Sequence, residues 1–263
     1  MKNMLLSIII LNYKSKNLVR NCLRALFESE TDFPFEVIVA DNNSNDGVGA
    51  MIKENFPQAR FFQSGENRGM GAGNNFAVRQ ATGKYILIVN PDIFVFPDSI
   101  AKLVRYAEAN ADVGVLSPQL LNPDRTLQHT CYRWHKLLTP LYRRTFLGNF
   151  DFAQNEVSRF LMLDKNHGEI FEADWIQGSC LLIPKKVFDQ VNGFDERFFM
   201  YFEDTDLCRR IKNSNYKTIY FPEAQVIHLH RKQSGGGLTQ LIFNKLMREH
   251  IKSLIKYWWK WRV

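Results

Sequence analysis

Three short runs, residues 5–11, 35–40 and 85–89, are almost wholly apolar and rich in Ile, Val and Leu, and each stops at a polar cluster. A strand that is apolar at every position must be covered on both faces. Helical spacing fills the intervals. Leu18, Cys22, Leu23 and Leu26 mark a helix within 15–30, and further helices are predicted over 46–55, 73–81 and 98–109, with a short strand at 60–63. Alternating strands and helices imply an α/β fold with a mostly parallel central sheet flanked by helices. Beyond Val113 the pattern loosens, and 122–172 offers no readable order. Regularity returns with a strand at 175–184, helices at 185–191 and 204–213, a strand at 217–221 and a long amphipathic helix at 238–261.

Composition narrows the class. The 263 residues include 21 Phe, ample bulk for a core, which excludes a disordered chain. The net charge is +7, and +5 of it falls after residue 237, on Lys245, Arg248, Lys252, Lys256, Lys260 and Arg262 against Glu249. The nearly neutral body argues against a nucleic-acid binder. No run reaches the roughly 20 apolar residues of a membrane span. The apolar N-terminus runs into Asn12, Tyr13 and Lys14 without a small-residue cleavage site, which fits a buried first strand. Cys22, Cys131, Cys180 and Cys208 are widely spaced, and this points to reduced thiols acting as small apolar residues inside the cell.

In parallel α/β sheets, ligands bind beyond the carboxyl ends of the strands. The Asp41–47 cluster lies there and reads either as hydrogen-bonding groups for a base or ribose or as a turn with a helix cap. Asn90-Pro91-Asp92 reads either as a turn or as a place where Asp92 holds a divalent cation. The glycines at 69, 71 and 73 do not fit G-x-G-x-x-G and follow the third strand, and no phosphate-binding P-loop is present, so hydride transfer and P-loop hydrolysis are poor readings. The sharpest signal is Glu203, Asp204 and Asp206, three carboxylates within four residues among aromatics. Such a group is costly to desolvate unless a cation or a reaction uses it, and it also suits the first turn of a helix.

Taken in order, NYKS, DNNSNDG, ENRGMGAGNN, YILIVNPD, WIQGSCLLIP and GFDERFFMYFEDTDLCRR resemble the inverting GT-A glycosyltransferases of family 2, in particular the bacterial rhamnosyltransferase-like branch. The resemblance covers about residues 4–235. It implies a GT-A catalytic domain over 1–237, with a nucleotide-binding part to about 115 and an acceptor-binding part over 116–237. It further implies that a sugar moves from a nucleotide-diphosphate sugar, dTDP-rhamnose or a UDP-hexose, to a polysaccharide or lipid-linked glycan, with Mg²⁺ or Mn²⁺ as cofactor. By position, Asn12 and Tyr13 line the nucleotide pocket, Asp41 meets the base with Asn43 and Ser44 nearby, and Asn67 and Gly69 approach the nucleotide. Asn90-Pro91-Asp92 stands for the family's D-x-D element, with Asp92 on the metal and Asn90 as a neutral ligand or ribose contact. His228 completes the metal site, with His230 the competing choice. Trp175, Gly178 and Ser179 shape the sugar and acceptor pocket. Asp204 is the general base, with Glu203 and Asp206 beside it. A non-catalytic sugar-nucleotide or glycan-binding module of the same fold is the alternative.

Within 238–263, Phe243, Met247, Ile251, Leu254, Trp258 and Trp261 fall on one helical face and the cations mostly on the other. This suits peripheral contact with an anionic membrane, and the lipid-linked acceptors that the resemblance implies would put that contact on the cytoplasmic face. Equally, it suits packing on the catalytic domain or on a second copy in a homodimer.

Overall fold

β1 (Leu6–Asn12), β2 (Phe35–Asp41) and β4 (Tyr85–Val89) form the centre of a sheet, and β1 and β4 are buried at every position. The structure, a computed structural model, describes residues 4–144, 146–229 and 245–262. Successive strand residues point to opposite faces, and this sorts the core into two layers. Ile8, Ile10, Val37, Val39 and Leu87 pack under α1 (Lys16–Phe27), α2 (Val48–Asn55) and α4 (Ser99–Ala109). Ile9, Leu11, Ile38, Ile86 and Ile88 face α3 (Met70–Val78), α7 (Lys185–Gln190) and α8 (Glu203–Asn213). The four cysteines are free and buried, and desolvation pushes their thiols up, which makes them poor nucleophiles.

The sheet runs, in order, β3 (Arg60–Gln63), β2, β1, β4, β10 (Cys180–Pro184), β6 (Val113–Leu121), β11 (Lys217–His228) and β5 (Ile93–Val95), with β8 (Phe171–Glu172) on β11. β3, β2, β1, β4, β6 and β11 share one direction; β10, β5 and β8 oppose it. Chain order reverses between β1 and β4, and the carboxyl ends there open a crevice where ligands bind in such sheets. β5 follows β4 in sequence yet leaves it to pair with the end of β11, Ile93 opposite His228.

Several expectations change. The strand expected at 175–184 is broken by 177–179 into β9 (Trp175–Ile176), which pairs with β7 (Cys131–Tyr132), and β10. β6 is a full strand although Gly114 and Pro118 interrupt its apolar run, and β11 continues past 221 through a bulge. The unreadable stretch folds into α5 (Thr139–Arg144) and α6 (Asp151–Phe160) around a short 3-10 turn. The closing helix is α9 (Lys245–Trp261); 238–244, Phe243 included, lie outside the described residues, as does His230.

Gly69 joins the two halves of the crevice. It sits at φ +92, Met70 N–H donates to the Phe199 carbonyl at 2.8 Å, and a Cβ at 69 would lie 2.1 Å from that same oxygen. Neither the dihedral nor the space admits a side chain. Gly69→Ala is expected to destabilise the fold by about 2–4 kcal/mol, read as a clear drop in the thermal unfolding midpoint. An unchanged midpoint would rule out the close approach.

Candidate active site

Asp92 and His228 meet because β5 pairs with the end of β11. His228 Nε2 lies 3.5 Å from Asp92 Oδ2, and Leu229 N–H donates to the Asp92 carbonyl at 2.9 Å. Gln128 fixes the histidine. Its amide NH₂ donates to the His228 carbonyl at 2.9 Å, which sets the amide orientation, so its Oε1 accepts from Nδ1 at 2.9 Å. In the neutral ring the Nε2 lone pair then points at the carboxylate. A lone pair beside a carboxylate oxygen invites a cation. Among the described residues no third His, Cys, Asp or Glu joins them. That donor set fits Mg²⁺ or Mn²⁺, which take few protein ligands and fill the remaining positions with phosphate oxygens and water.

At the end of β1 and β2 the polar residues mostly bind one another. Buried Asn12 donates to Asp41 Oδ1 at 2.8 Å and to Ser44 Oγ at 3.0 Å. Asp41 also accepts from the Ser44 hydroxyl, from Ser44 N–H at 3.0 Å and from Gln63 Nε2 at 3.1 Å. These bonds fill the carboxylate, so a base can reach Asp41 only if the Gln63 amide yields. Asn43 is left-handed at φ 60 and turns the loop. Asn67 Oδ1 accepts from Asn42 Nδ2 at 2.8 Å and from Gly69 N–H at 3.0 Å, so Asn67 and Gly69 shape the loop. Tyr13 differs, being 47% exposed at the crevice end of β1.

The carboxylate cluster lies at the N-terminus of α8, after two left-handed residues, Tyr201 (φ 69) and Phe202 (φ 67). Asp204 Oδ2 accepts from Gly178 N–H at 2.9 Å, and Oδ1 accepts from Thr205 N–H at 2.7 Å. A Cβ at 178 would press on the Asp204 Cβ at 3.2 Å, so glycine lets the loop close on the acid. Both Glu203 and Asp204 keep some exposed surface, but protein rings their carboxyls. Burial raises Asp204, and burial followed by the Asp204 charge pushes Glu203 up to about 8. The buried Glu203 Oε2 has no hydrogen-bond partner. Asp206 leaves the helix on the other side. It is fully buried and accepts from Arg210 Nε at 2.8 Å, Trp261 Nε1 at 2.9 Å and Lys260 Nζ at 2.6 Å, so it anchors α9 and does not join Asp204 in the crevice.

The acid and the Asp92 corner are connected. Ser179, next to Gly178, accepts from Asn90 N–H at 2.9 Å through its carbonyl, which ties 178–179 to the turn that carries Asp92. Trp175 lies deeper. It is buried, stacks on Tyr132 with centroids 4.3 Å apart and donates to the Arg133 carbonyl, so it supports the wall from behind. Gln128, Gln63 and Lys260 escaped the sequence reading because no local pattern marks a side chain whose partner is 22 to 100 residues away.

Comparison with known proteins defines the class. Residues 7–166 match the profile of glycosyl transferase family 2, and 159–232 match that of the N-terminal domain of galactosyltransferase. PcManGT, a mannosyltransferase of Pyrobaculum calidifontis solved with GDP-Man and Mn²⁺, superposes with TM-score 0.60 at 20% identity, over 87% of this chain and 58% of that one. GalNAc-T7, solved with UDP, GalNAc and Mn²⁺, gives 0.66 at 14% identity, over 87% and 43%. The chain therefore spans about half the length of these solved proteins, and that likeness concerns the fold. The chain belongs to glycosyl transferase family 2, with the GT-A fold.

Two relatives narrow the branch. An N-acetylglucosaminyl-diphospho-decaprenol L-rhamnosyltransferase of Mycobacterium tuberculosis is 30% identical over 217 residues, 78% of this chain and 70% of its own. Rhamnosyltransferase WbbL of Escherichia coli K12 is 26% identical over 257 residues, 95% and 91%. The protein is a rhamnosyltransferase-like glycosyltransferase.

The raised Glu203 carboxyl carries a pH signature. The native state holds this proton more tightly than the unfolded chain, so stability is fully present below the ordinary value of 4.5 and is lost as pH rises toward about 8. Thermal unfolding of Glu203→Gln across this window is expected to lose less than wild type. Parallel curves for the two proteins would refute the shift.

Proposed function

We propose that this glycosyltransferase moves a hexosyl or deoxyhexosyl group, with inversion, from a nucleoside-diphosphate sugar to a hydroxyl of a cell-surface polysaccharide or lipid-linked glycan. The supporting observation is the run of hydrogen bonds from Asp204 through 178–179 to the turn bearing Asp92, beside His228. It brings the Asp204 carboxylate and the Asp92–His228 pair to one end of the same strands, which supports a reading in which a base and a metal-bound diphosphate flank one sugar.

Asp92 and His228 would hold Mg²⁺ or Mn²⁺, which neutralises negative charge on a departing diphosphate when bound. Tyr13 offers an exposed ring on which the nucleotide base stacks, and the Asp41 loop presents its edge. Asp204, already oriented by two backbone N–H groups, takes the proton of the acceptor hydroxyl. The new C–O bond forms on one face of the sugar while the bond to diphosphate breaks on the other, and the electron pair leaves with the diphosphate. Desolvation makes Asp204 a stronger base than an ordinary aspartate.

dTDP-rhamnose is the first donor to test and UDP-hexoses the next, in line with the two rhamnosyltransferase relatives. A lipid-linked acceptor is supported by the 137–152 region, where Leu137, Leu138, Phe150 and Phe152 are exposed in the acceptor part. No helix among the described residues is long and apolar enough to cross a membrane. The same reading puts the enzyme at the cytoplasmic face of the membrane, as a peripheral protein.

Asp204→Asn is expected to retain nucleotide-sugar binding in a thermal-shift titration with Mn²⁺ and to lose transfer by about 10²–10⁴-fold. Asp92→Ala is expected to lose the Mn²⁺-dependent part of that binding. Near-normal turnover by Asp204→Asn would move the base elsewhere.

A further inference from the structure

α9 has two faces, and of the two expectations for its apolar face the structure shows packing on the catalytic domain. Tyr257 is fully buried, and it packs with Leu254, Trp258 and Trp261 against Phe198 and Phe202. The apolar face is therefore taken by the catalytic domain. The opposite face is a single stripe, since Lys245, Lys252 and Trp259 recur every seven residues, as do Arg248 and Ile255, with Arg262 just past the last turn. All are exposed, Trp259 at 84% and Ile255 at 58%. The one acid of α9, Glu249, is half-buried and pairs with Lys252 at 2.8 Å, so the stripe keeps a strong positive excess.

We propose that this stripe is a docking surface for an anionic lipid bilayer. The inference rests on the peripheral-membrane reading above and assigns the contact to particular residues. Cations flanking an exposed indole and an isoleucine match lipid phosphates and the apolar boundary beneath them. A second copy fits poorly, because a two-fold contact would set this cationic stripe against an identical cationic stripe. A polyphosphate strand would leave Ile255 without an apolar partner.

Flotation with phosphatidylcholine vesicles, with and without one third phosphatidylglycerol, tests it. Wild type is expected to float with anionic vesicles only, and R248E/K252E/W259S to bind at least about 10-fold more weakly, with its unfolding midpoint and its transfer to a soluble acceptor unchanged. W259F alone gives a milder test, a partial loss. If wild type ignores anionic vesicles, or is captured by nucleic acid instead, the membrane reading fails and the inference with it. If wild type and both variants bind equally, the membrane reading survives and this surface is wrong.

The inner face carries a second inference from separate contacts. Segment 195–206, which contains Glu203 and Asp204, is gripped by α9 at four points. Ser253 donates to the Met200 carbonyl at 2.8 Å, Lys256 to the Arg197 carbonyl at 2.6 Å, and Trp261 to Asp206 at 2.9 Å. Lys260 bridges Asp195 at 2.8 Å and Asp206 at 2.6 Å. Between these points lie Tyr201 and Phe202, two consecutive non-glycine residues in the left-handed region, a conformation that persists only where its surroundings hold it. We infer that Lys260 is a positioning residue that acts through this segment to aim Asp204. This rests on Asp204 being the base.

Lys260→Met is expected to lower kcat about 10–100-fold while leaving the donor KM within about twofold, and Lys260→Arg to recover most of the rate. Ser253→Ala, which removes a smaller contact, is expected to show the same split in weaker form. A wild-type kcat in Lys260→Met, or a loss that merely follows its unfolded fraction, overturns the inference. A normal rate in Asp204→Asn would instead sink the assignment of the base.

Discussion

The site depends on where β10 enters the sheet. It runs antiparallel between β4 and β6, so the turn before it, 177–179, arrives at the carboxyl ends of strands pointing the other way. There Ser179 accepts from Asn90, and Gly178 donates to Asp204. That reversal lets 178–179 bridge the turn carrying Asp92 and the helix carrying Asp204. Gly178 and Gly69 serve the same end at two points: each removes a side chain where one backbone must approach an acid or a carbonyl.

Electrostatics explains why such a site needs so much support. Glu203 and Asp204 are adjacent acids with their carboxyls enclosed by protein, and both hold protons more tightly than free carboxyls do. The N-terminus of α8 softens that cost through its exposed N–H groups and dipole, and Thr205 and Gly178 N–H groups bond Asp204 directly. Glu203 receives no such bond at Oε2. A neutral Glu203 beside an ionised Asp204 is the arrangement of least repulsion, and it leaves one of the two acids free to act as a base.

How much of this was legible in the sequence depends on how local each cause is. The buried strands were readable because their apolar runs are a local property, and so was the position of the polar residues at their carboxyl ends. β6 was not, since Gly114 and Pro118 break its run, and its identity as a strand comes from pairing with β11 and β10, over 60 residues away. The meeting of Asp92 with His228 was expected from resemblance alone; physically it follows from β5 abandoning β4 for β11. Asp206 shows the limit most clearly. Three acids in four residues read as one cluster, yet a helix turns about 100° per residue, so Asp204 and Asp206 must diverge once α8 begins. Which of the two faces the crevice was settled by Lys260 and Trp261, and no spacing rule connects these to Asp206.

α9 meets the catalytic domain with one side and presents different chemistry on the other. Burial works upward on Asp195, but bonds from Arg197 and Lys260 outweigh it and hold that carboxyl well below its ordinary range. A charge so held resists displacement, and it fixes the start of the segment that contains Asp204. The contacts responsible lie on one side of a helix whose other side carries cations and an open tryptophan. The inner grip consists of short, directional hydrogen bonds and ion pairs, whereas the outer face carries diffuse charge. The inner grip therefore constrains the segment that leads into Asp204, the base proposed above, and the outer face is available for the bilayer contact proposed with it.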